Sequence, residues 1–250
     1  MKKRNQISIP RKHTFETVMA GLRSHRNAKN IAGMARFGIS TKNTFGISVP
    51  VLRATAKEIG KDHLLARKLW ASGIHEARIL ASMIDDPTMV SESQMDEWAN
   101  DFDSWDVCDQ CCGNLFDKTE YAYEKALEWS GNDREFVKRA GYALMAYLAV
   151  HDANADDKTL AQFLPIIKKG SDDQRNFVKK SVNWALRQIG KRNLELNRMA
   201  VKTAKEISRL DAKSAKWIAS DALRELQSDS VLSKLRNKLI PSRELIGPNS

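Results

Sequence analysis

Phe-Val-Lys-Arg at 136–139 returns 41 positions later as Phe-Val-Lys-Lys at 177–180, and Ala-Leu-Arg at 185–187 returns 37 positions later at 222–224. Around these segments apolar residues follow one another at three- and four-residue spacing almost everywhere, and no segment alternates as a half-buried strand would. A recurrence near 40 residues within a helical pattern means that each unit is a helix pair. Such a unit cannot bury its own apolar face and must stack on its neighbours. With only 12 Gly and 6 Pro in 250 residues, the chain also lacks material for the many tight turns of an all-β fold.

The expected fold is therefore all-α, a helical-repeat solenoid of the HEAT or armadillo kind with a concave basic groove and about six helix pairs. Gly60, Gly131 and Gly170 read as helix stops. Ser171-Asp172-Asp173-Gln174 reads as a capping box opening a helix over 172–191. The separators are short, so successive helices pack as antiparallel neighbours. No linker divides the chain. Residues 1–240 read as a single α-helical repeat domain and 241–250 as a flexible C-terminal tail.

The formal net charge is +10, which favours polyanionic partners. It is unevenly placed. Residues 1–78 carry 16 bases and 4 acids, residues 79–133 carry 2 bases and 14 acids, and residues 134–224 carry 19 bases and 10 acids. The acidic belt reads mainly as solvated helix faces. No apolar run approaches the ~20 residues needed to span a bilayer, so no membrane partner is expected. The basic start is not followed by an apolar stretch and does not read as a secretory signal. Cys108, Cys111 and Cys112 do not suit a disulfide framework. They lack histidines at ligand spacing for a zinc site, and they read as small core residues of a cytoplasmic protein.

Three segments concentrate chemistry. On the helix over 172–191, Val178, Val182, Ala185 and Ile189 form an apolar stripe. Trp184 points roughly 130° away, among Lys180, Arg187, Gln188 and Lys191. The ring either packs on the next repeat or stacks on nucleic acid while the cations hold phosphates. The helix over about 134–150 is apolar nearly all round, yet carries Arg139, whose guanidinium needs an anion: a carboxylate of this chain or a bound phosphate. In DFDSWDVCDQCCGN (101–114), Trp105 and Asp109 share a face of a helix over 103–112, which Asp103 or Ser104 caps. Asp109 needs a cation there, and Arg139 is its natural partner. Trp70, Trp98, Trp129 and Trp217 read as core.

SWDVCD (104–109), FVKRA (136–140) and FVKKSVNWALRQIGKRN (177–193), with MARFGISTKNTFGISVPVLR (34–53), resemble the AlkD-like DNA alkylation repair family of HEAT-like repeat DNA glycosylases. The resemblance runs from about residue 30 to about residue 225. It implies excision of cationic N3- or N7-alkylated purines from duplex DNA by N-glycosidic hydrolysis, by a monomer without a cofactor. The positions it carries over are the catalytic Asp109, the active-site Trp105 and Trp184, and the active-site Arg139. Lys180, Arg187, Lys191 and Arg192 would grip the DNA backbone. Phe37 stands where some relatives carry a tyrosine, and so lacks a hydroxyl. The alternative function is a non-catalytic HEAT-repeat scaffold binding DNA or RNA structures or proteins.

Overall fold

The structure is a computed structural model that describes residues 13–238, so the expected tail at 241–250 lies outside the described residues. Among the described residues every regular element is a helix. The chain falls into two compact units that divide between Leu144 and Met145.

The first unit contains α1 (Phe15–Ser24), α2 (Ala28–Ala35), α3 (Val49–Ile59), α4 (His63–Ala71), α5 (His75–Ile84), α6 (Glu92–Asn100), α7 (Trp105–Asn114), a 3-10 turn (Phe116–Lys118) and α8 (Ala122–Ser130). The unit boundary falls inside α9 (Glu135–His151). The second unit continues with α10 (Asp157–Ala161), α11 (Phe163–Gly170), α12 (Asn176–Gly190), α13 (Leu194–Ile207), α14 (Lys213–Leu226) and α15 (Asp229–Asn237).

Side-chain bonds between neighbouring repeats show the period directly. In the first unit they join residues 31 apart (Trp70 to Asp101, His75 to Asp106), 32 apart (Asn114 to Ser82) and 30 apart (Arg139 to Asp109). In the second they join residues 38 apart (Lys168 to Glu206, Asn183 to Asp221, Arg187 to Glu225) and 40 apart (Gln174 to Ser214). The period near 40 therefore belongs to the second unit, and the first repeats every 30 or so residues. Helix length explains the difference. α4 to α8 have 9 or 10 residues, whereas α12 to α14 have 14 or 15.

The first unit's core is an aromatic chain. Trp70 and Trp98 stack with centroids 4.0 Å apart, and Phe102, Phe116 and Trp129 continue the contacts. The buried indoles still need acceptors. Trp70 Nε1 donates to Asp101 and Trp129 Nε1 to Asp96, each at 2.9 Å. Lys125, only 2% exposed, is held by Glu92, Asp96 and Glu128 at 2.9, 2.8 and 2.7 Å. Asp85, fully buried, accepts from His63 and Gln94, both at 2.7 Å. The acidic belt is thus not simply a set of solvated faces: much of it satisfies buried donors, because a buried donor left unpaired costs more than a carboxylate brought to meet it.

Two further expectations are corrected. α12 opens at Asn176 rather than 172, with Arg175 as its uncapped N-cap. The Ser171 hydroxyl bonds back to Lys168 O, and the Asp173 carboxylate is taken by Arg175, so neither serves as a cap. Trp217 is not core but 41% exposed. The buried stripe of α14 is Ala215, Ile218, Ala219, Ala222 and Leu226, and 217 falls off it. Gly60 and Gly131 do follow α3 and α8 directly, while Gly170 is the last residue of α11. Cys108, Cys111 and Cys112 are wholly buried. Burial raises the thiol pKa values of Cys111 and Cys112 well above the ordinary range, as befits inert packing groups.

Candidate nucleic-acid site

α7 begins at Trp105 after Ser104, so residues 105 and 109 lie one turn apart on the same face. α9 runs beside it; the Cys108 and Cys112 thiols donate to Phe136 O and Ala140 O. That register puts Arg139 against Asp109. Arg139 Nε donates to Asp109 Oδ1 at 2.8 Å and Nη2 to Oδ2 at 2.6 Å, the forked geometry that suits a guanidinium. The Asp109 side chain is 13% exposed and that of Arg139 7%. Of the two anions open to Arg139, a carboxylate of this chain is the one found. The Arg139 guanidinium carbon also lies 5.7 Å from the centroid of the Trp105 ring. Asp109, Arg139 and Trp105 therefore form one cluster in the first unit.

The Asp109 carboxyl is raised above its usual value by burial, against the opposing pull of the Arg139 charge; Asp106, on the same helix, adds to the rise. Asp106 has its own partner. His75 Nε2 bonds Asp106 Oδ2 at 2.9 Å, and the Ser104 hydroxyl donates to Oδ1. Burial works against both charges of this pair. The hydrogen bond and the mutual attraction prevail, so the carboxyl lies below its usual range and the imidazole above.

Trp105 reaches the N-terminal segment as well: its Nε1 donates to Phe37 O at 3.0 Å. The loop before α3 hangs on Glu76, which is wholly buried. The Glu76 carboxylate accepts from the Thr44 hydroxyl at 2.7 Å and from the backbone N–H of Phe45, Gly46 and Ile47 at 2.8, 2.5 and 3.2 Å. Gly46 has φ 75°, and a Cβ there would come within 2.4 Å of Asn27 O, so only glycine fits. This loop and α2 wall a cavity of about 660 Å³, with His75 and Asp106 among its lining.

In the second unit Trp184 is half-buried, edge-on to Tyr147 with centroids 4.9 Å apart. Lys180 is exposed. Arg187 and Lys191 both hold Glu225, at 2.5 and 2.7 Å, and Arg187 also lies 3.5 Å from Asp221. Arg192 donates to the carbonyls of Ala149, Asp152, Ala153 and Ala155, securing the end of α9. The exposed Trp217 ring has the Nζ of half-buried Lys179 5.0 Å from its centroid. The wheel of α14 signals its exposure. Nothing in local spacing signals the Glu76 cage or the His75–Asp106 pair, whose partners are about 30 residues away.

Stacked helix pairs carrying a carboxylate gripped by a guanidinium beside an indole define an all-helical repeat protein with a polar cluster built across neighbouring repeats. The family follows from comparison: a family model described as DNA alkylation repair enzyme matches residues 18–226, and the chain belongs to that family. No curated protein matches it. A solved structure described as "a new family of proteins related to the HEAT-like repeat DNA glycosylases with affinity for branched DNA structures" superposes with a TM-score of 0.71 at 22% identity. It covers 85% of this chain and 95% of that one, and the likeness establishes the HEAT-like fold. Among the described residues no helix is long and apolar enough to cross a membrane.

Proposed function

We propose that this protein is a DNA glycosylase that excises cationic N3- or N7-alkylated purines from duplex DNA. The observation that carries the reading is Asp109, a carboxylate left partly accessible while Arg139 fixes both of its oxygens. An alkylated purine already bears a positive charge, so it leaves as a neutral base with the electron pair of the glycosidic bond. No acid is needed, and one carboxylate can replace the pair used by glycoside hydrolases. Asp109 stabilises the oxocarbenium-like sugar and takes the proton of the water whose oxygen bonds to C1′. Arg139 positions Asp109, and its charge favours the ionised carboxylate against the opposing effect of burial. Trp105 offers its ring to the cationic nucleotide.

The second unit is assigned DNA contacts of its own. Trp184 stacks, and exposed Lys180 holds a phosphate. Arg187, Lys191 and Arg192 add positive field from positions that also brace the fold. The test is release of 7-methylguanine from a duplex oligonucleotide, scored as abasic sites. A second reading, a branched-DNA binder without catalysis, is favoured by one fact: both Asp109 oxygens already have partners, as in a structural ion pair. Binding to branched DNA without base release would select it.

A further inference from the structure

The cavity between α2 and the loop before α3 is not used by the reaction just described. Its walls are apolar: Met34, Phe37, Ile47 and Ile79 contribute, and the His75–Asp106 pair lies on its lining. Lys29 and Arg36, both exposed, stand on its rim, in the part of the chain with 16 bases against 4 acids. Phe37 is 70% exposed, so its ring is open to a ligand. The carbonyl of the same residue is fixed by Trp105 Nε1. Asp106 is three residues from Asp109 along α7, a rise of about 4.5 Å. The cavity lining therefore shares α7 with the carboxylate cluster and is tied to it through the Trp105–Phe37 bond.

We infer that this cavity is a binding site for one unpaired nucleotide of the bound DNA, its base among Phe37, Met34 and Ile47 and its phosphate on Lys29 and Arg36. A volume of about 660 Å³ accommodates a nucleotide but no duplex. Apolar walls with an exposed aromatic ring suit a base face, and rim cations suit its phosphate. The inference rests on the preceding reading only in taking DNA as the bound polymer.

Gly33 supplies the decisive variant. It lines the cavity, and a Cβ there meets no atom within 4 Å, so the side chain of Gly33→Phe starts in open space and occupies the cavity. Phe37→Ala removes the ring from an exposed position and leaves the core intact. Binding of the full chain to two oligonucleotide duplexes is compared by fluorescence anisotropy at fixed salt, one fully paired and one with a single-nucleotide bulge. Melting curves verify that each variant is folded. The wild type binds the bulged duplex about tenfold tighter. Both variants lose that preference while keeping wild-type affinity for the paired duplex. Equal affinity of the wild type for the two duplexes overturns the inference, as does a preference that survives Gly33→Phe. Methylguanine release is measured in parallel. Release without bulge preference leaves the glycosylase reading standing alone, and bulge preference without release leaves the nucleotide site standing alone.

Discussion

Arg139 and Asp109 are joined by two near-parallel hydrogen bonds, from Nε and Nη2 to the two carboxylate oxygens, across adjacent helices that lie 30 residues apart in the chain. The pair fixes the direction of the carboxylate as well as its charge. Neither partner can turn without breaking a bond to a mostly buried group, so the site is set before any substrate arrives.

Arg139→Lys tests that directional role. An ammonium retains the positive charge but cannot make two parallel bonds to one carboxylate. Base release falls at least about tenfold, while DNA affinity at physiological salt changes by less than about threefold. Single-turnover rates and anisotropy titrations measure the two. Unchanged turnover in Arg139→Lys means that the fork geometry is incidental.

The His75–Asp106 pair sets a pH window for stability. His75 is raised above its ordinary 6.5, so its contribution is complete below 6.5 and is lost as pH climbs through the raised value. Asp106 is lowered below its ordinary 3.8, so its contribution is complete above 3.8 and is lost as pH drops through the lowered value. Both contributions are complete between 3.8 and 6.5. The groups facing the imidazole include Glu76 and Asp103, which also favour its charge. In His75→Asn the loss of stability above pH 6.5 flattens relative to the wild type, as followed by urea denaturation from about pH 5 to about pH 9. Identical slopes in the two proteins exclude the pair as the cause.

Glu76→Gln turns one acceptor into a donor facing hydroxyl and amide donors. Oε1 accepts three of the four bonds and Oε2 one, so the amide keeps at most three, now without the negative charge, and the fold loses roughly 2–4 kcal/mol. The midpoint of chemical unfolding reports the change. Protection of the Phe45, Gly46 and Ile47 amides in hydrogen exchange falls with it. A variant as stable as the wild type removes Glu76 from the account.

Much of this architecture is legible in the residues. The three- and four-residue spacing identifies the helices, because each must bury one stripe. A cation on an apolar helix and an anion on another each need a partner, so residue type and helical spacing make Asp109 and Arg139 natural partners, with a bound phosphate as the other anion open to Arg139; the pairing itself comes from the packing of α7 on α9. What is not legible depends on long-range packing. The recurring segments lie in and beside the second unit, where long helices give a period near 40. The short helices of the first unit keep a period near 31, and the letters that match at that offset are as few as Glu97-Trp98 with Glu128-Trp129. Glu76 looks like an ordinary acid in a helix's first turn, since its partners are backbone amides of an aperiodic loop. Residue type alone puts Trp217 in the core, although the apolar stripe of its own helix turns it outward. The acidic belt looks solvated in the sequence because local spacing does not reveal that indoles, a lysine and an arginine wait beneath it.

Asp109 carries the central claim, and one comparison tests it most directly. Wild type and Asp109→Asn are each mixed in excess with a duplex containing a single 7-methylguanine, and base release is followed by strand scission at abasic sites while anisotropy reports binding. The account predicts release by the wild type, none measurable by Asp109→Asn, and DNA affinity equal within about twofold, since a lost carboxylate does not weaken the hold on a polyanion. Equal release by the two proteins, or no release by the wild type, contradicts it.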